Sequence, residues 1–445
     1  MRSYREPEPG SGRRVVIVGG GMAGTRLAQQ LAATAADGVV EVTIIGEEPH
    51  PAYNRVLLAE VLAGRYAPDV IALPALAVGR RLSGVRVVRL DRDPGEVVCD
   101  DGRRVPYDAL VLATGSNPVL PPLRGLFEPH GHDLPDGVHA FRTMDDCLAL
   151  GAAIRPGVRA VVIGGGLLGV SAARALAQRG AQVVLAHQGE HLMERQLDTG
   201  AAAMLRRHVT ALGVEVHTEC RVRGLRTRSV SASGGGRAVR AVELADGYAL
   251  EADLVILACG ARPRVGLAHA AGLTVARGIV VDDQLRTSDP RIFAIGDCAE
   301  HAGILYGLAG PAQDQADVLA HVVGSRSAGR HGWAQPDHRA AHGDETGPRY
   351  TGSRTLTRLT LAAASSPLDL AAFGETTPAP GDDVVHLADA TRNAYRKVVV
   401  RGDRLVGGIL LGDLGSVGAL ARTWEGDEPL PSAPLLHLLT NDGGS

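Results

Sequence analysis

The chain has 445 residues, a net charge of −3 at pH 7 and 45% hydrophobic residues. Its length suffices for about three domains of roughly 150 residues each, with apolar residues enough for a full core. The near-neutral charge gives no electrostatic reason to expect nucleic acid or an anionic membrane as a partner. Residues 1–12 are polar, and no segment approaches about 18 uninterrupted apolar residues. We therefore expect a cytoplasmic protein with neither a signal peptide nor a membrane span.

The cysteines are few and widely spaced. Their number is odd and no two of them stand at C-x-x-C spacing; they are Cys99, Cys147, Cys220, Cys259 and Cys298. The sequence therefore predicts neither a disulfide scaffold nor a cysteine-ligated metal site, and we assign no metal ligand. We interpret Cys259 and Cys298 as small buried residues.

One local pattern occurs twice along the chain. Residues 14–24 and 160–169 each form an apolar run that leads into a glycine triplet. A helical stretch follows each run, over 25–33 and 170–179, and a second apolar run comes next, over 40–45 and 182–186. Continuous apolar runs of this length are typical of buried parallel strands. The pattern predicts an α/β protein with two Rossmann-like nucleotide-binding units.

The first glycine motif predicts a dinucleotide site. Its candidate contact residues are Gly19, Gly21, Met22, Ala23 and Gly24. Gly19 permits the tight turn, Gly21 lets the backbone approach a pyrophosphate, and Gly24 lets helix and strand pack closely. The helix N-terminus then offers free N–H groups to the phosphates. An acid should end the next strand to bind ribose hydroxyls, and we assign this role to Glu47, with Glu48 as the second choice.

The second glycine motif predicts another dinucleotide site. Its candidate contact residues are Gly164, Gly166, Leu167, Leu168 and Gly169. The acid expected after the next strand is missing, and His187 stands in its place, with Glu190 three residues later. The nearest arginine that could bind a 2′-phosphate is Arg195. The sequence leaves the choice between NADH and NADPH open, although the lack of an arginine directly after the strand favours NADH.

Three further strand ends carry small or acidic residues. Thr114 and Gly115 follow the strand predicted from residue 107, and Gly260 ends a similar run that begins at residue 252. The run from residue 291 delivers Gly296 and Asp297 to its carboxyl end. Ligands of open α/β sheets lie at this edge, and a carboxylate there suits a hydroxylated ribityl chain.

Together these motifs resemble those of the two-dinucleotide-binding flavoproteins, the family of disulfide reductases, ferredoxin reductases and NADH oxidases. The resemblance implies that the first motif and Gly296-Asp297 bind FAD, that the interposed unit binds NAD(P)H, and that Arg55 lies near the FAD. Within that family, residues 53–58 and 191–198 look most similar to the flavoprotein portion of assimilatory nitrite reductases. They are also similar to the electron-transfer subunit of assimilatory nitrate reductase.

The resemblance also implies a domain organisation. We expect an FAD-binding domain over 13–120 and 253–323, with an NAD(P)H-binding domain inserted over 136–252. A linker over 324–347 and a small C-terminal α+β domain over 348–440 follow, and we expect the last domain to fold as a separate unit.

Two departures from the family concern the flavin chemistry. Members that reduce disulfides or peroxide carry a cysteine near residues 57–60, and none stands there, so we expect no thiol relay. Ferredoxin reductases of the family often place a lysine where Glu60 stands and a glutamate where Ser171 stands. We therefore expect the corresponding ion pair to be absent.

These observations predict an FAD-dependent NAD(P)H oxidoreductase. The cofactor carries the chemistry, so we assign no catalytic acid, base or nucleophile. The 445 residues contain no cysteine-bearing segment for an iron–sulfur cluster or sirohaem, so we expect electrons to pass to a separate redox protein. A nitrate or nitrite reductase component, a ferredoxin and a rubredoxin are the candidates, and the chain could form a homodimer. The alternatives are an NAD(P)H oxidase that uses oxygen and a flavin-based redox sensor.

Overall fold

A computed structural model of the chain describes residues 13–34, 40–76, 79–128, 131–230, 236–324, 347–362, 367–389, 391–430 and 439. The predicted linker over 324–347 lies, apart from its first and last residues, outside the described residues. The part of the predicted C-terminal domain that follows residue 430 also lies outside the described residues, apart from Leu439.

The helices alternate with strands through the first two thirds of the chain, as the repeated pattern predicts. They are α1 Met22–Thr34, α2 Leu58–Leu62, α3 Met144–Ala153, α4 Leu167–Gln178, α5 Thr199–Ala211, α6 Gly266–Ala270, α7 Ala309–Gly324 and α8 Val417–Gly426. Two 3₁₀ turns cover Arg55–Leu57 and Gly296–Cys298. No helix in the described part of the chain is long and apolar enough to cross a membrane.

The strands are short. Those before α5 are β1 Arg13–Val18, β2 Val40–Gly46, β3 Arg80–Ser83, β4 Val87–Asp91, β5 Glu96–Cys99, β6 Arg104–Pro106, β7 Ala109–Leu112, β8 Ser116–Pro118, β9 Val138–Ala140, β10 Arg159–Ile163 and β11 Gln182–Ala186. Those from α5 to α7 are β12 Val214–His217, β13 Val222–Ser229, β14 Arg237–Leu244, β15 Ala249–Glu251, β16 Leu254–Leu257, β17 Ala261–Pro263, β18 Ile279–Val281, β19 Ile292–Ala294 and β20 Ala299–His301. The C-terminal region contributes β21 Leu356–Leu361, β22 Leu368–Gly374, β23 Asp383–Asp389, β24 Ala394–Arg401 and β25 Arg404–Leu411.

Two parallel sheets confirm the predicted α/β class. The first has the order β19-β7-β1-β2-β3 and the second the order β12-β11-β10-β16-β9. Their central strands are buried, as continuous apolar runs require. The helices α1 and α4 begin at Met22 and Leu167, three residues before the predicted starts, because the last residues of each glycine motif already form the first helical turn.

The position of β16 corrects one predicted boundary. We assigned 253–323 to the first unit, but Leu254–Leu257 pairs in parallel with β10 and so belongs to the second sheet. The same strand pairs with β9 on its other side. The return to the first unit therefore lies after Gly260, because this strand completes the second sheet.

The C-terminal region forms an antiparallel sheet of its own, as predicted, in the order β21-β22-β25-β24-β23. Helix α8 covers one face, where the rings of Phe373 and Trp424 lie 5.2 Å apart. Buried Val398, Val400 and Leu410 complete this small core.

The chain divides into two compact units. The first comprises Met1–Val56, Asp69–Asn117 and Ala261–Ser353, and the second comprises Leu57–Pro68, Pro118–Gly260 and Arg354–Ser445. The C-terminal region therefore shares a compact unit with the second nucleotide-binding sheet, although it has a sheet and a core of its own. The physical reason is a set of buried polar contacts between this region and helices α4 and α5, described below.

Candidate functional site

In the first unit, the glycine turn after β1 depends on close backbone approach. Gly19 has a φ of +122°, and a Cβ atom at this position would overlap the carbonyl oxygen of Ala113 at the end of β7. A Cβ at Gly24 would overlap the carbonyl oxygen of Gly19. Only glycine permits both contacts, which bring α1 close against the end of β1.

Gly21 differs from its neighbours because it faces open space. No heavy atom lies within 4 Å of the position where its Cβ would stand. It directly precedes Met22 and Ala23, the first residues of α1, whose N–H groups have no partner within the helix. An open cradle at a helix N-terminus fits a pyrophosphate, which needs backbone donors and no side chain in its way.

The end of β19 lies at the same edge of the first sheet. Gly296 has a φ of +76° and packs against α1, since its Cβ would lie 3.2 Å from that of Ala23. Its N–H group donates to Oε1 of Gln315 at 2.7 Å. Asp297 accepts a hydrogen bond from Ser116 Oγ at 2.8 Å. The two predicted residues Gly296 and Asp297 therefore lie on the side of the sheet that carries the glycine turn.

The predicted residues after β7 shape the same edge. Thr114 Oγ1 donates to the carbonyl oxygen of Arg264 at 2.9 Å, and the N–H group of Arg264 donates to the carbonyl oxygen of Gly115 at 2.9 Å. The guanidinium of Arg264 also pairs with Glu47. The structure thus brings Glu47, after β2, together with the loop that follows β7.

Glu48 occupies a more enclosed position than Glu47. Its carboxylate accepts hydrogen bonds from Tyr53 Oη at 2.6 Å and from the Arg55 guanidinium at 2.6 Å. The guanidinium lies 5.1 Å from the centre of the Tyr53 ring. Burial alone would lower the pKa of Arg55, but the adjacent Tyr53 and Glu48 raise it, so its positive charge is secure. Arg55, Glu48 and Tyr53 therefore form one fixed group.

Arg81 is a residue that sequence reasoning missed. It lies on β3, and its Nη2 donates to the carbonyl oxygen of Gly20 at 2.8 Å. A Cβ at Gly20 would lie 2.6 Å from that nitrogen, so a side chain at this position would require the Arg81 guanidinium to move. Burial lowers the pKa of Arg81. The sequence did contain a signal for this contact: Gly20 stands at a position where the G-x-G-x-x-G motif requires no glycine.

In the second unit, the turn after β10 repeats this geometry. Gly164 has a φ of +116°, and a Cβ there would overlap the carbonyl oxygen of Ala258 at the end of β16. A Cβ at Gly169 would overlap the carbonyl oxygen of Gly164. Gly166 is the N-cap of α4 and, like the corresponding glycine of the first turn, has no heavy atom within 4 Å of its Cβ position. Leu167 and Leu168 begin the helix.

His187 is fixed against this second turn. The N–H group of Gly165 donates to its Nδ1 at 3.1 Å, and a Cβ at Gly165 would lie 2.7 Å from the imidazole ring. Burial lowers the pKa of His187, so the ring is neutral at pH 7. Since Nδ1 accepts, Nε2 carries the proton. The acid expected after β11 is thus replaced by a neutral donor.

The remaining candidates of the second unit are less constrained. Arg195 is exposed and forms no hydrogen bond or ion pair with the described residues. Glu194, beside it, accepts from the N–H group of Glu190 at 2.7 Å. Gly260 has a φ of +106°, and its carbonyl oxygen accepts from the N–H group of Val119 at 2.9 Å.

Glu60 has a cationic partner, although not at position 171, where ferredoxin reductases of the family often have the other member of their pair. It pairs with Arg174 of α4, whose side chain is 1% exposed. Arg174 also donates to the carbonyl oxygen of Ala362, just after β21, at 3.2 Å. Ser171, where the family often has a glutamate, donates to the carbonyl oxygen of Leu167 at 2.8 Å. In the family's pair, the cation stands at position 60 on α2 and the carboxylate at position 171 on α4. Here the carboxylate, Glu60, lies on α2, and the cation, Arg174, lies on α4, one helical turn beyond Ser171.

The cysteine thiols are in environments that keep them protonated. Cys147 of α3 lies close to the start of α2 and donates to the carbonyl oxygen of Leu58 at 3.4 Å, and burial raises its pKa to about 11. Burial also raises the pKa of Cys259 to about 11 and that of Cys298 above its usual range. Cys298 is buried as predicted, whereas Cys259 is only partly buried. Protonated thiols are poor nucleophiles, so these three are unsuited to a relay.

Two family models match the chain. The model described as pyridine nucleotide-disulphide oxidoreductase covers residues 13–322, which include both glycine turns. The model described as rubredoxin NAD+ reductase C-terminal domain covers residues 365–423.

Several characterised proteins are similar in sequence. The nitrite reductase [NAD(P)H] of Bacillus subtilis is 35% identical over 90% of this chain. The assimilatory nitrate reductase electron transfer subunit of the same organism is 34% identical over 90% of it. The chain spans about half the length of these two relatives, 46% and 48%. Putidaredoxin reductase of Pseudomonas putida is 33% identical over 66% of this chain and 68% of its own.

Solved structures share the fold. The ferredoxin reductase for the CYP199A2 system from Rhodopseudomonas palustris superimposes with a TM-score of 0.78 at 24% identity, covering 96% of this chain and 98% of its own. The reductase in a covalent putidaredoxin reductase–putidaredoxin complex gives the same score, identity and coverage.

The pair of Glu60 and Arg174 predicts a stability effect. Replacing Arg174 with Met should leave a half-buried carboxylate with less compensation and cost about 3–5 kcal/mol. Replacing Arg226, whose pair with Glu243 is exposed, should cost less than about 1 kcal/mol. The measurement is urea unfolding of single variants and of the double variant Glu60→Gln, Arg174→Met. If the double variant lost as much stability as the sum of both single variants, the two groups would not be coupled.

Proposed function

The chain belongs to the pyridine nucleotide-disulphide oxidoreductase family, and from this premise we propose that it is an FAD-dependent NAD(P)H oxidoreductase that passes electrons to a separate redox partner. The observation that carries the proposal is the pair of open glycine turns. Gly21 and Gly166 each border free space at the start of a helix, at the carboxyl edge of a parallel sheet. Two such cradles in one chain fit two dinucleotides.

The first turn is the FAD site of this proposal. Its backbone donors at Gly21, Met22 and Ala23 would bind the pyrophosphate, and Glu47 or Glu48 the adenosine ribose. Asp297, fixed by Ser116, would bind the ribityl chain. Arg55 supplies a secure positive charge to the same unit. The remaining contacts come from the strand end at Thr114 and Gly115.

The second turn is the NAD(P)H site. Gly166, Leu167 and Leu168 would offer backbone donors to its pyrophosphate, and His187 would donate from Nε2 to a ribose hydroxyl. Gly260 follows β16 at the same edge of the second sheet, and no heavy atom lies within 4 Å of its Cβ position.

Bound FAD supplies the redox chemistry, accepting hydride from the nicotinamide and giving up electrons to the partner. The protein contributes binding, orientation and charge. No cysteine stands at residues 57–60, and the pKa of nearby Cys147 is raised, so the side chains provide no thiol relay.

The coenzyme is NADH in this proposal. The loop after β11 carries three carboxylates, Glu190, Glu194 and Asp198, against one cation, Arg195, so its charge disfavours a 2′-phosphate. The neutral His187 offers a donor that suits a hydroxyl and adds no positive charge.

The acceptor is a redox centre outside these 445 residues. Relatives that match 90% of the chain are named nitrite reductase and nitrate reductase electron transfer subunit. A nitrite or nitrate reductase component is therefore favoured over a ferredoxin or rubredoxin. The five free cysteines suit a reducing compartment, and we place the protein in the cytoplasm.

Valine substitutions at the two open glycines test the assignment of the nucleotides. Because neither added side chain meets protein atoms at its Cβ, both variants should fold. Gly21→Val should bind FAD at least about tenfold more weakly. Gly166→Val should keep one FAD per chain but lose anaerobic bleaching by NADH. FAD content and flavin absorbance are the measurements, and each variant is the control for the other. Full FAD in Gly21→Val, or normal bleaching of Gly166→Val, would contradict the assignment.

The coenzyme choice can be tested at His187. The unaltered protein should use NADH with a kcat/KM at least about tenfold above that for NADPH, a difference of roughly 1.4 kcal/mol. His187→Arg should reduce this ratio, because a guanidinium favours the 2′-phosphate. His217→Arg, a matched change at the half-buried end of the neighbouring strand β12, should leave it unchanged, because the His217 side chain pairs with Glu215. A preference for NADPH in the unaltered protein would overturn this part of the proposal.

A further inference from the structure

The chain contains one lysine, and it is nearly buried. Lys397 lies on β24 of the C-terminal sheet and is 9% exposed. Its Nζ donates to Oδ2 of Asp198 at 2.8 Å. The two residues are 199 positions apart in sequence but belong to the same compact unit. Burying an ammonium group costs free energy unless it is paired with an anion, so the contact with Asp198 compensates for the burial of Lys397.

Tyr395, on the same strand, contacts the same carboxylate. Its Oη lies 2.9 Å and 2.7 Å from the two oxygens of Asp198. Its ring packs on the first turn of α5, where a Cβ at Gly200 would lie 3.0 Å from Cε2. The His386 ring, on β23, lies 4.6 Å from the Tyr395 ring. Tyr395 is therefore held on two sides.

Asp198 joins these contacts to the start of α5. It is the N-cap of that helix and accepts from the N–H group of Ala201 at 3.0 Å. Burial alone would raise the pKa of Asp198, but the hydrogen bonds from Lys397, Ala201 and Tyr395 lower it, so the carboxylate stays charged. The end of the segment before α5 is thus fixed by three donors.

The segment that ends at Asp198 begins at His187, and we refer to residues 187–198 as the coenzyme loop. Two of its residues form hydrogen bonds with Gly165 of the second turn. His187 Nδ1 accepts from the Gly165 N–H group at 3.1 Å, and the Met193 N–H group donates to the Gly165 carbonyl oxygen at 2.9 Å. Met193 has a φ of 55°, which costs energy for a side chain of this kind. The loop therefore needs support to keep this conformation.

We propose that Tyr395 and Lys397 are positioning residues for NAD(P)H. By fixing Asp198, they hold the coenzyme loop in the conformation in which His187 and Met193 contact the Gly165 backbone. That contact sets the shape of the turn to which the coenzyme pyrophosphate binds. The C-terminal sheet thereby determines coenzyme affinity without contacting the coenzyme. This inference rests on the proposed function of the second turn as the NAD(P)H site.

The test uses the full-length, FAD-loaded protein and the variants Lys397→Met, Tyr395→Phe and Lys397→Arg. The Kd for NAD+ is measured by calorimetry, and KM for NADH and kcat with ferricyanide by steady-state kinetics. For Lys397→Met we expect Kd and KM to rise roughly tenfold and kcat to stay within about twofold, since bound coenzyme restores the loop. Tyr395→Phe, which removes only a hydroxyl, should show a smaller rise. Lys397→Arg should restore most of the affinity because the charge is kept.

Arg401→Met is the matched control. Arg401 lies on the same strand and pairs with Asp382 and Glu375, away from the coenzyme loop. It should lower the melting temperature without changing the Kd for NAD+. If Lys397→Met and Tyr395→Phe lowered only the melting temperature and left Kd and KM unchanged, the positioning role would be overturned. If Gly166→Val bound NAD+ as tightly as the unaltered protein, the proposed function of the turn itself would fail instead.

Discussion

The close approach of one backbone to another at each glycine turn is the constraint on which both nucleotide sites depend. The first glycine of each turn lies against the carbonyl oxygen that ends a neighbouring strand, Ala113 in one unit and Ala258 in the other. The last glycine lies against the first, so each helix begins directly at the end of its strand. Between these two contacts, Gly21 in the first turn and Gly166 in the second have no heavy atom within 4 Å of their Cβ positions. That space is where a pyrophosphate fits.

The rest of each site follows from parallel pairing. Parallel strands end at a common edge, so the residues after β2, β7 and β19 surround the first turn, and those after β11 and β16 surround the second. The two units differ in charge at this edge. The first fixes Arg55, Glu48 and Asp297 in paired positions, whereas the second presents a neutral His187. The two units thus present different side chains on the same backbone frame, and our proposal assigns them to different nucleotides.

The strands, the turns and the α/β class could be predicted from sequence because each depends on residues close together in the chain. Contacts between distant residues could not. The partner of Glu60 is Arg174, 114 positions away, and an arginine in an alanine-rich helix gives no local sign of a buried pair. The same holds for Asp198 with Lys397, which lie 199 positions apart. The extra glycines Gly20 and Gly165 were visible signals of close neighbours, but sequence could not identify Arg81 or Leu192 as those neighbours.

The central claim is that bound flavin, and no thiol, accepts the electrons that NADH delivers to this chain. Anaerobic titration of the FAD-loaded protein with NADH tests this claim most directly, with flavin absorbance as the readout. The account predicts complete bleaching at one NADH per FAD, with no further oxidation of added NADH, because the five cysteines are free thiols, which are already reduced and accept no electrons. Consumption of a second equivalent of NADH per FAD would reveal another redox group, such as a cysteine pair, and would contradict the account.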